Sequence, residues 1–416
     1  MSKYEIIAHC QACGNKTEEI MSLGDLPLVD ALEEPKPHKI HHTEKYPAPF
    51  LFCPTCQLFQ LGCIVDQKLL FPVNYPYTSA TTKQLCDNFT ELCKECGGFL
   101  PLNSRDLVVD IGCNDGTLLS NFKNHCRVVG ITPENIGDQA RQKGIPVLQS
   151  YFTPGIVKKV ISQFGQAQLI TATNVLAHFP NIHDALASIL ELLDKKGVFV
   201  SESGYLPALI GNLQYDTIHH EHLRYYTVTS LNFIFQAHNM EIIHAKKIPP
   251  HGGSIRVYAA RKGLFPATDN TATLLREEEN GALSKSKLQK FKLHVIESKQ
   301  RLRDLLTTLK KDGMKIYGVG APGRATVLIN FAGIDEKIIS CALEVTGSHK
   351  IGKRIPGTKI AILEEKKLFI DQPDYALLLS WHIAKELMPK IKTRGFRGDF
   401  IIPLPTPTIV RNRDVQ

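Results

Sequence analysis

The chain carries no apolar run approaching the roughly 18 residues that a membrane-crossing helix needs, so a helical membrane protein is not expected. Its first residues, Met1-Ser2-Lys3-Tyr4-Glu5, lack the apolar core of a secretory leader. The expectation is a soluble, cytoplasmic protein with no membrane partner. Cysteine nearly vanishes after the first third: of 11 in all, ten precede residue 127 and only Cys341 follows. A secreted disulfide framework would use an even number and spread it more evenly, so reduced thiols and a metal site fit better. No block of Lys or Arg stands out either. The net charge of +8 suits an anionic ligand or a solvated surface, and no nucleic-acid partner is expected. Internal repeats and low-complexity tracts are missing as well.

What remains is globular in balance, with 43% hydrophobic, 8% aromatic and 22% charged residues. At 416 residues the chain outgrows one ordinary core, and two or three domains are expected. Residues 1–75 are rich in Cys, His and Pro, with strand-like runs at Phe50-Leu51-Phe52 and Leu58-Phe59-Gln60-Leu61. A helix is expected from Thr82 to Cys96, closed by Gly97-Gly98. From Asp106 to Arg261, the apolar runs Leu107–Ile111, Arg127–Ile131, Leu169–Thr173 and Gly197–Ser201 alternate with helical segments. Buried parallel strands read this way, so the fold class is α/β. Residues 270–312 have the period of a connecting helix packed on one face. A second α/β unit begins at Lys315-Ile316-Tyr317-Gly318-Val319-Gly320 and continues through strands expected at Ile338–Leu343 and Tyr375–Leu379. The division that follows is a small module over 1–75, a Rossmann-like domain with a helical entry over 76–265, and a connecting helix with a second Rossmann-like domain over 266–416.

Cys10-Gln11-Ala12-Cys13 and Cys53-Pro54-Thr55-Cys56 are two C-x-x-C knuckles with 39 residues between them. Each turns tightly enough for both sulfurs to reach one tetrahedral ion, and Gly14 suits the turn after the first knuckle. Four sulfur ligands leave no open position for water, so the expected zinc is structural. Cys93-Lys94-Glu95-Cys96 is a third such spacing but has no partner knuckle, and a coincidence within a helix explains it better than a second metal.

Leu107-Val108-Val109-Asp110-Ile111-Gly112-Cys113-Asn114-Asp115-Gly116-Thr117-Leu118-Leu119 reads as a strand, a glycine turn and a helix start. Such a turn lies at the carboxyl end of a strand, where open α/β sheets bind ligands. It is not G-x-G-x-x-G, which argues against a pyrophosphate cofactor. Asp110 and Asp115 suit a cationic, amino-acid-bearing cofactor such as S-adenosylmethionine, although an ordinary strand-to-helix turn gives the same pattern. After the next strand an acid usually accepts from ribose hydroxyls; here Thr132 stands at the strand end with Glu134 two residues on. The strand after that ends in Thr173-Asn174-Val175-Leu176-Ala177-His178, whose polar edge would lie beside the cofactor.

Tyr215-Asp216-Thr217-Ile218-His219-His220-Glu221-His222-Leu223-Arg224-Tyr225-Tyr226 gathers three histidines, two acids, three tyrosines and an arginine. Histidine titrates near neutrality and a carboxylate neighbour can orient it, which suits a base that removes a proton next to a carbonyl. Zinc or iron binding and a plain structural role are the competing readings, though consecutive histidines cannot all face one ion in regular structure. His251-Gly252-Gly253-Ser254-Ile255-Arg256 is a second polar turn, fit for a ligand approach or a hairpin.

On these motifs the chain resembles the sugar C-methyltransferases that act on nucleotide-linked deoxy-keto-hexoses, among them the mycarose and tetronate-sugar enzymes. The resemblance runs through the paired knuckles, Asp110–Gly116, Asn174–His178, Asp216–His222, His251–Arg256, Pro356-Gly357-Thr358 and Pro373-Asp374-Tyr375. It implies a zinc-binding module, a central class I methyltransferase domain and a C-terminal Rossmann-like domain. It also implies that a proton leaves the sugar carbon beside the ketone and that the enolate attacks the methyl sulfonium. The base is the last histidine of a Tyr-His-Glu-His motif, which falls on His222, with Glu221 beside it as its orienting acid. The implied cofactor contacts are Asp110, Gly112, Asn114, Asp115, Thr132, Glu134, Asn174 and His178, and the implied substrate contacts are Tyr77, His251 and Arg324. The partner is a dTDP- or GDP-linked sugar, and the assembly a monomer or homodimer.

This sequence departs from the family pattern at ligand-facing positions. His219 replaces the motif's tyrosine and, as a partly protonated group, is expected on the substrate's phosphates. Thr132 replaces the acid after the second strand, and Thr173-Asn174 a doubled asparagine. Gly318-Val319-Gly320-Ala321-Pro322-Gly323-Arg324-Ala325 replaces Gly-Tyr-Gly-Ala-x-Ala-Lys-Gly, and Glu344 a later aspartate. Two other readings stay open: a non-catalytic relative that binds a sugar nucleotide, and an oxidoreductase or epimerase using Gly318-x-Gly320-x-x-Gly323 for a dinucleotide.

Overall fold

Leu107–Ile111 is buried at all five positions, as a strand must be when helices cover both faces of its sheet. It is the fifth of seven strands ordered Met240–Ile248, Ser254–Arg261, Leu193–Gly204, Ala167–Thr173, Leu107–Ile111, Arg127–Thr132 and Val147–Gln149. The last five run parallel, and Ser254–Arg261 is antiparallel to both of its neighbours. The carboxyl ends of the parallel strands therefore share one edge, where the turns of interest emerge. The protein is seen in a computed structural model that describes residues 3–34, 43–75, 78–79, 82–281 and 283–415.

The helix Lys83–Phe99 covers one face of this sheet through Leu85, Phe89, Leu92 and Cys96, and the Thr82 side chain caps it by accepting from the Leu85 amide. It runs past the expected stop at Gly97-Gly98. Phe99 stacks on Tyr258 and His244, 4.9 and 5.1 Å between centroids, and this packing holds the last turn. The helix expected after the first glycine turn is only a 3-10 turn, Leu119–Asn121. There the Ser120 hydroxyl and the Asn121 amide donate to carbonyls of residues 116–118, a local alternative to a helical ladder.

A second sheet is ordered Ile362–Glu364, Ala342–Glu344, Ile316–Val319, Tyr375–Leu378, Asp399–Ile402 and Thr408–Val410, parallel except at the last strand. The strand expected at Ile338 begins only at Ala342, because the Asp335 carbonyl takes the Ile338 and Ile339 amides into a turn. The expected connecting helix is two, Asp269–Glu279 and Lys285–Lys311, broken at Gly281 with φ +100°.

The N-terminal residues form a four-stranded sheet of Glu18–Pro27, Lys45–Phe52, Phe59–Leu61 and, from far along the chain, Arg224–Tyr225. The strand that leaves the histidine cluster thus completes the N-terminal sheet. Among the described residues, no helix is long and apolar enough to cross a membrane.

Candidate active site

The sulfurs of Cys10, Cys13, Cys53 and Cys56 all lie within 4.8 Å of one another. The Cys10–Cys56 and Cys13–Cys53 sulfurs are 3.4 Å apart, too far for a disulfide bond of about 2.05 Å. A tetrahedral ion with zinc–sulfur bonds of about 2.3 Å needs sulfurs separated by about 3.8 Å, so the four thiols fit zinc. Each knuckle closes on a backbone bond of 2.9 Å, Gly14 to Cys10 and Gln57 to Cys53. Among the described residues, these four are the group close enough to share an ion.

The twelve-residue histidine segment bridges the other two parts of the chain. At its start, Arg324 of the C-terminal part donates two bonds of 2.8 Å to Asp216, and the Trp381 indole donates a third at 2.7 Å. At its end, Arg224 is buried and donates to Gln11, the Phe179 carbonyl and the Tyr226 hydroxyl, while its strand pairs with Phe59–Leu61. His220 points toward the zinc module, where its Nε2 donates to the Pro47 carbonyl at 3.0 Å.

Between these anchors His222 lies against His178 and His219, with centroids 5.3 and 4.2 Å away. Phe71 stacks on the far face of His178 at 4.9 Å. His222 Nδ1 is 3.2 Å from the Thr217 carbonyl. A carbonyl can only accept, so Nδ1 carries the proton and Nε2 keeps the lone pair. Burial lowers the pKa of His222, and the Thr217 contact opposes this, so the ring is a neutral base at pH 7. His178 is held neutral by burial and then by His222, and its Nε2 has no partner.

Several expected roles change. Glu221 does not orient His222: its carboxylate accepts from the Tyr75 hydroxyl at 2.8 Å, and the Thr217 carbonyl is the contact of the His222 ring instead. Burial, and then Asp30, push the Glu221 pKa well above the carboxylate range. His219 is not a partly charged phosphate ligand, because burial and the neighbouring His222 and His178 hold it well below its ordinary pKa. Arg324 binds Asp216 through Nε and Nη2. Asp115 turns inward, accepting from the Thr117 amide and lying 3.6 Å from Lys143. Tyr77 lies outside the described residues. Thr217, Tyr75, Phe71, Asp216, Trp381 and His382 went unassigned from sequence. Trp381, the single tryptophan, offered the one local signal among them.

The remaining residues gather at the carboxyl edge of the central sheet. Gly112 has φ +76°, and a Cβ there would lie 2.4 Å from Val175 Cγ2, so only glycine lets the two turns meet. Asp110 is buried and accepts from Thr171 at 2.7 Å; burial raises its carboxyl to about 7. Thr132 donates to Glu134, whose pKa burial also raises. Thr132 thus does not replace the acid but holds one placed two residues later. Asn114 accepts from the Ser79 amide at 2.9 Å, and Asn174 lies 3.3 Å from His251 Nε2. Burial, followed by His222 and Arg324, lowers His251 to about 4. Among the described residues, neither Asp110 nor Glu134 has a cationic partner. Two desolvated acids without a cation fit a cofactor that brings a positive charge and hydroxyl donors.

Comparison with known proteins agrees with this three-part site. Residues 10–71 match the model of a zinc binding domain, 77–245 that of a methyltransferase domain, and 249–405 that of a C-methyltransferase C-terminal domain. The C-methyltransferase NovU of Streptomyces niveus is 29% identical over 410 residues, 97% of either chain. Among solved structures, an SAM-dependent methyltransferase from Anabaena variabilis is 16% identical over 41% of this chain and 84% of its own, with a TM-score of 0.33. The magnesium protoporphyrin IX methyltransferase of Synechocystis is 14% identical over 42% and 83%, with a TM-score of 0.34. The three matched parts in series, and the likeness to one C-methyltransferase along nearly the whole length, make the chain an S-adenosylmethionine-dependent C-methyltransferase.

Proposed function

We propose that the enzyme methylates carbon in a nucleotide-linked deoxy-keto-sugar, dTDP- or GDP-linked, in the cytoplasm, with His222 as the base. The observation that carries this reading is the fixed tautomer of His222, whose Nδ1 proton is spent on the Thr217 carbonyl. Its Nε2 lone pair is then available to a carbon acid, and a ketone makes the neighbouring C–H acidic enough for a neutral imidazole to act on.

When bound, the cofactor supplies an electrophilic methyl group on its sulfonium. Asp110, Glu134, Gly112, Asn114 and Asn174 line the edge that would hold it, with the two acids facing its charge and ribose hydroxyls. His222 Nε2 takes the proton, and the electron pair of the broken C–H bond moves into the enolate. The forming oxyanion needs a donor rather than a carboxylate. Glu221 meets that need in its protonated form, which burial favours. His219 and His178 pack on the base and exclude water from it. His251, beside Asn174, lines the sugar side.

The test is to incubate the enzyme with candidate keto-sugar nucleotides and labelled cofactor. The expected result is a mass gain of one methyl group in one of them, with the label on carbon. His222→Asn should abolish exchange of the sugar proton into heavy water while sparing cofactor binding. Wild-type exchange in that variant would overturn the assignment of the base.

A further inference from the structure

Arg324 stands on the helix Gly323–Ala332, in the C-terminal part of the chain, and among the described residues it hydrogen-bonds to Asp216 and to no histidine. Its guanidinium is nonetheless buried, with Nε and Nη2 forked onto both oxygens of Asp216 at 2.8 Å, a geometry that fixes direction as well as distance. The Trp381 indole N–H donates to Asp216 Oδ2 at 2.7 Å, and the Arg324 guanidinium lies 4.8 Å from the centroid of the same indole. Asp216 is the middle residue of the 3-10 turn Tyr215–Thr217. The next residue, Thr217, presents the carbonyl that accepts from His222 Nδ1 at 3.2 Å. That carbonyl also accepts from the Tyr225 hydroxyl at 3.2 Å, and Tyr225 in turn accepts from the His219 amide.

We propose that Arg324, with Trp381, is a positioning residue for the base: by locking Asp216 it aims the Thr217 carbonyl, and the carbonyl keeps the proton of His222 on Nδ1. The inference rests on His222 being the base. A fully buried aspartate is expensive to leave unpaired, so the pair resists rearrangement, and the turn between its anchors has one orientation. If Asp216 is released, the carbonyl can swing away and Nε2–H becomes an equally good tautomer, in which Nε2 no longer has a lone pair to take the proton. In a histidine–aspartate pair of known mechanism, loss of the correct tautomer alone costs about 10^4-fold in rate. Here the carbonyl remains in the chain, so the expected loss is smaller, about 10- to 100-fold.

The experiment follows the imidazole tautomer in the full-length, zinc-loaded protein by nitrogen-15 NMR of labelled histidine, with the His222 signal assigned through His222→Asn. In the wild type at pH 7 the Nδ1–H form should dominate by at least about tenfold. In Arg324→Met the two forms should approach equal populations, while Arg324→Lys, which restores one cation, should recover part of the bias. Trp381→Phe removes only the indole donor and should give an intermediate shift, so the proposal stays testable if Arg324→Met does not fold. An unchanged His222 tautomer in a folded Arg324→Met, or in Trp381→Phe if that is the only folded variant, would overturn it. The readout needs no substrate. Failure of the functional reading would appear separately, as methyl transfer surviving in His222→Asn.

Discussion

Two strand–glycine-turn units in this chain look alike in sequence and are used differently. In the central sheet, Gly112 follows its strand, and the acid beyond the next strand, Glu134, is held by Thr132 and has no cation. In the C-terminal sheet, Gly320 follows its strand, and the corresponding acid, Glu344, accepts from the Ala321 amide of the same turn at 2.6 Å. The start of the helix that follows is covered as well, since a Cβ on Gly323 would meet Val29 at 3.2 Å, and Thr326 donates to the Val29 carbonyl. Arg324 in the first turn of that helix is spent on Asp216. One turn is left with unmet electrostatic demand, and the other is satisfied by its own chain. A glycine turn becomes a ligand site only where the surrounding side chains leave its polar groups unpaired. The closed second turn gives a dinucleotide no pyrophosphate cradle, which weighs against an oxidoreductase.

The contrast can be broken most forcefully at the two glycines. Gly112→Ala forces a β-carbon to 2.4 Å from Val175 at φ +76°, and S-adenosylmethionine affinity should fall by more than about tenfold in calorimetry. Gly320→Ala meets Ser380 at 2.5 Å at φ +82° and should lower the melting temperature by several degrees without moving that affinity. Equal losses of cofactor affinity in both variants would erase the distinction.

The acids offer a gentler comparison. Glu134→Gln removes a carboxylate with unmet demand, and cofactor affinity should fall about tenfold, or about 1.4 kcal/mol. Glu344→Gln should instead cost about 1 kcal/mol of stability in denaturant titration and leave cofactor affinity within about twofold of wild type. A cofactor effect from Glu344→Gln would assign the ligand to the second sheet.

The smallest effect is in acid. Partial desolvation lowers His251 and His382 to about 4 and about 3, against an unfolded value near 6.5, although His251 is exposed overall and His382 only half-buried. A lowered folded pKa means that the unfolded chain binds more protons between those limits. Stability is therefore intact above pH 6.5 and falls as the pH drops toward 4, by a small fraction of the roughly 1.4 kcal/mol per pH unit that a fully buried histidine would give, because water screens both rings. Replacing His251 by Gln should flatten this slope in melting curves taken from pH 7 to pH 5. An unchanged slope would count against its neutral state.

The elements that sequence makes plain are those whose cause is local. Leu107–Ile111 is apolar on both faces because it is covered on both, and paired cysteines two residues apart must turn tightly whatever surrounds them. The helix from Lys83 is legible through its Thr82 cap, but its end is not, because Phe99 is held by Tyr258 and His244 from distant strands. Legibility fails in the same way at the site. Glu221 sits next to His222 in the chain yet turns to Tyr75, and Arg324 finds Asp216 across more than a hundred residues. Residue types announced the chemistry, while the pairing of those residues depended on topology that no short window contains. The position of Thr132 shows the converse: its hydroxyl reaches an acid only two residues on, Glu134, a pairing that the sequence places side by side.

The strand Arg224–Tyr225, which closes the N-terminal sheet, also has a consequence for synthesis. Phe59–Leu61 leaves the ribosome about 160 residues before its partner strand exists. At roughly 5–20 residues per second, that edge waits on the order of ten to thirty seconds with its backbone donors and acceptors unpaired. During that interval the knuckles can already hold their ion, and a metal-tied turn keeps Phe59 and Leu61 in place until the later strand arrives. The zinc would then act as a placeholder in time, preserving a vacancy in the sheet for the segment that carries the base.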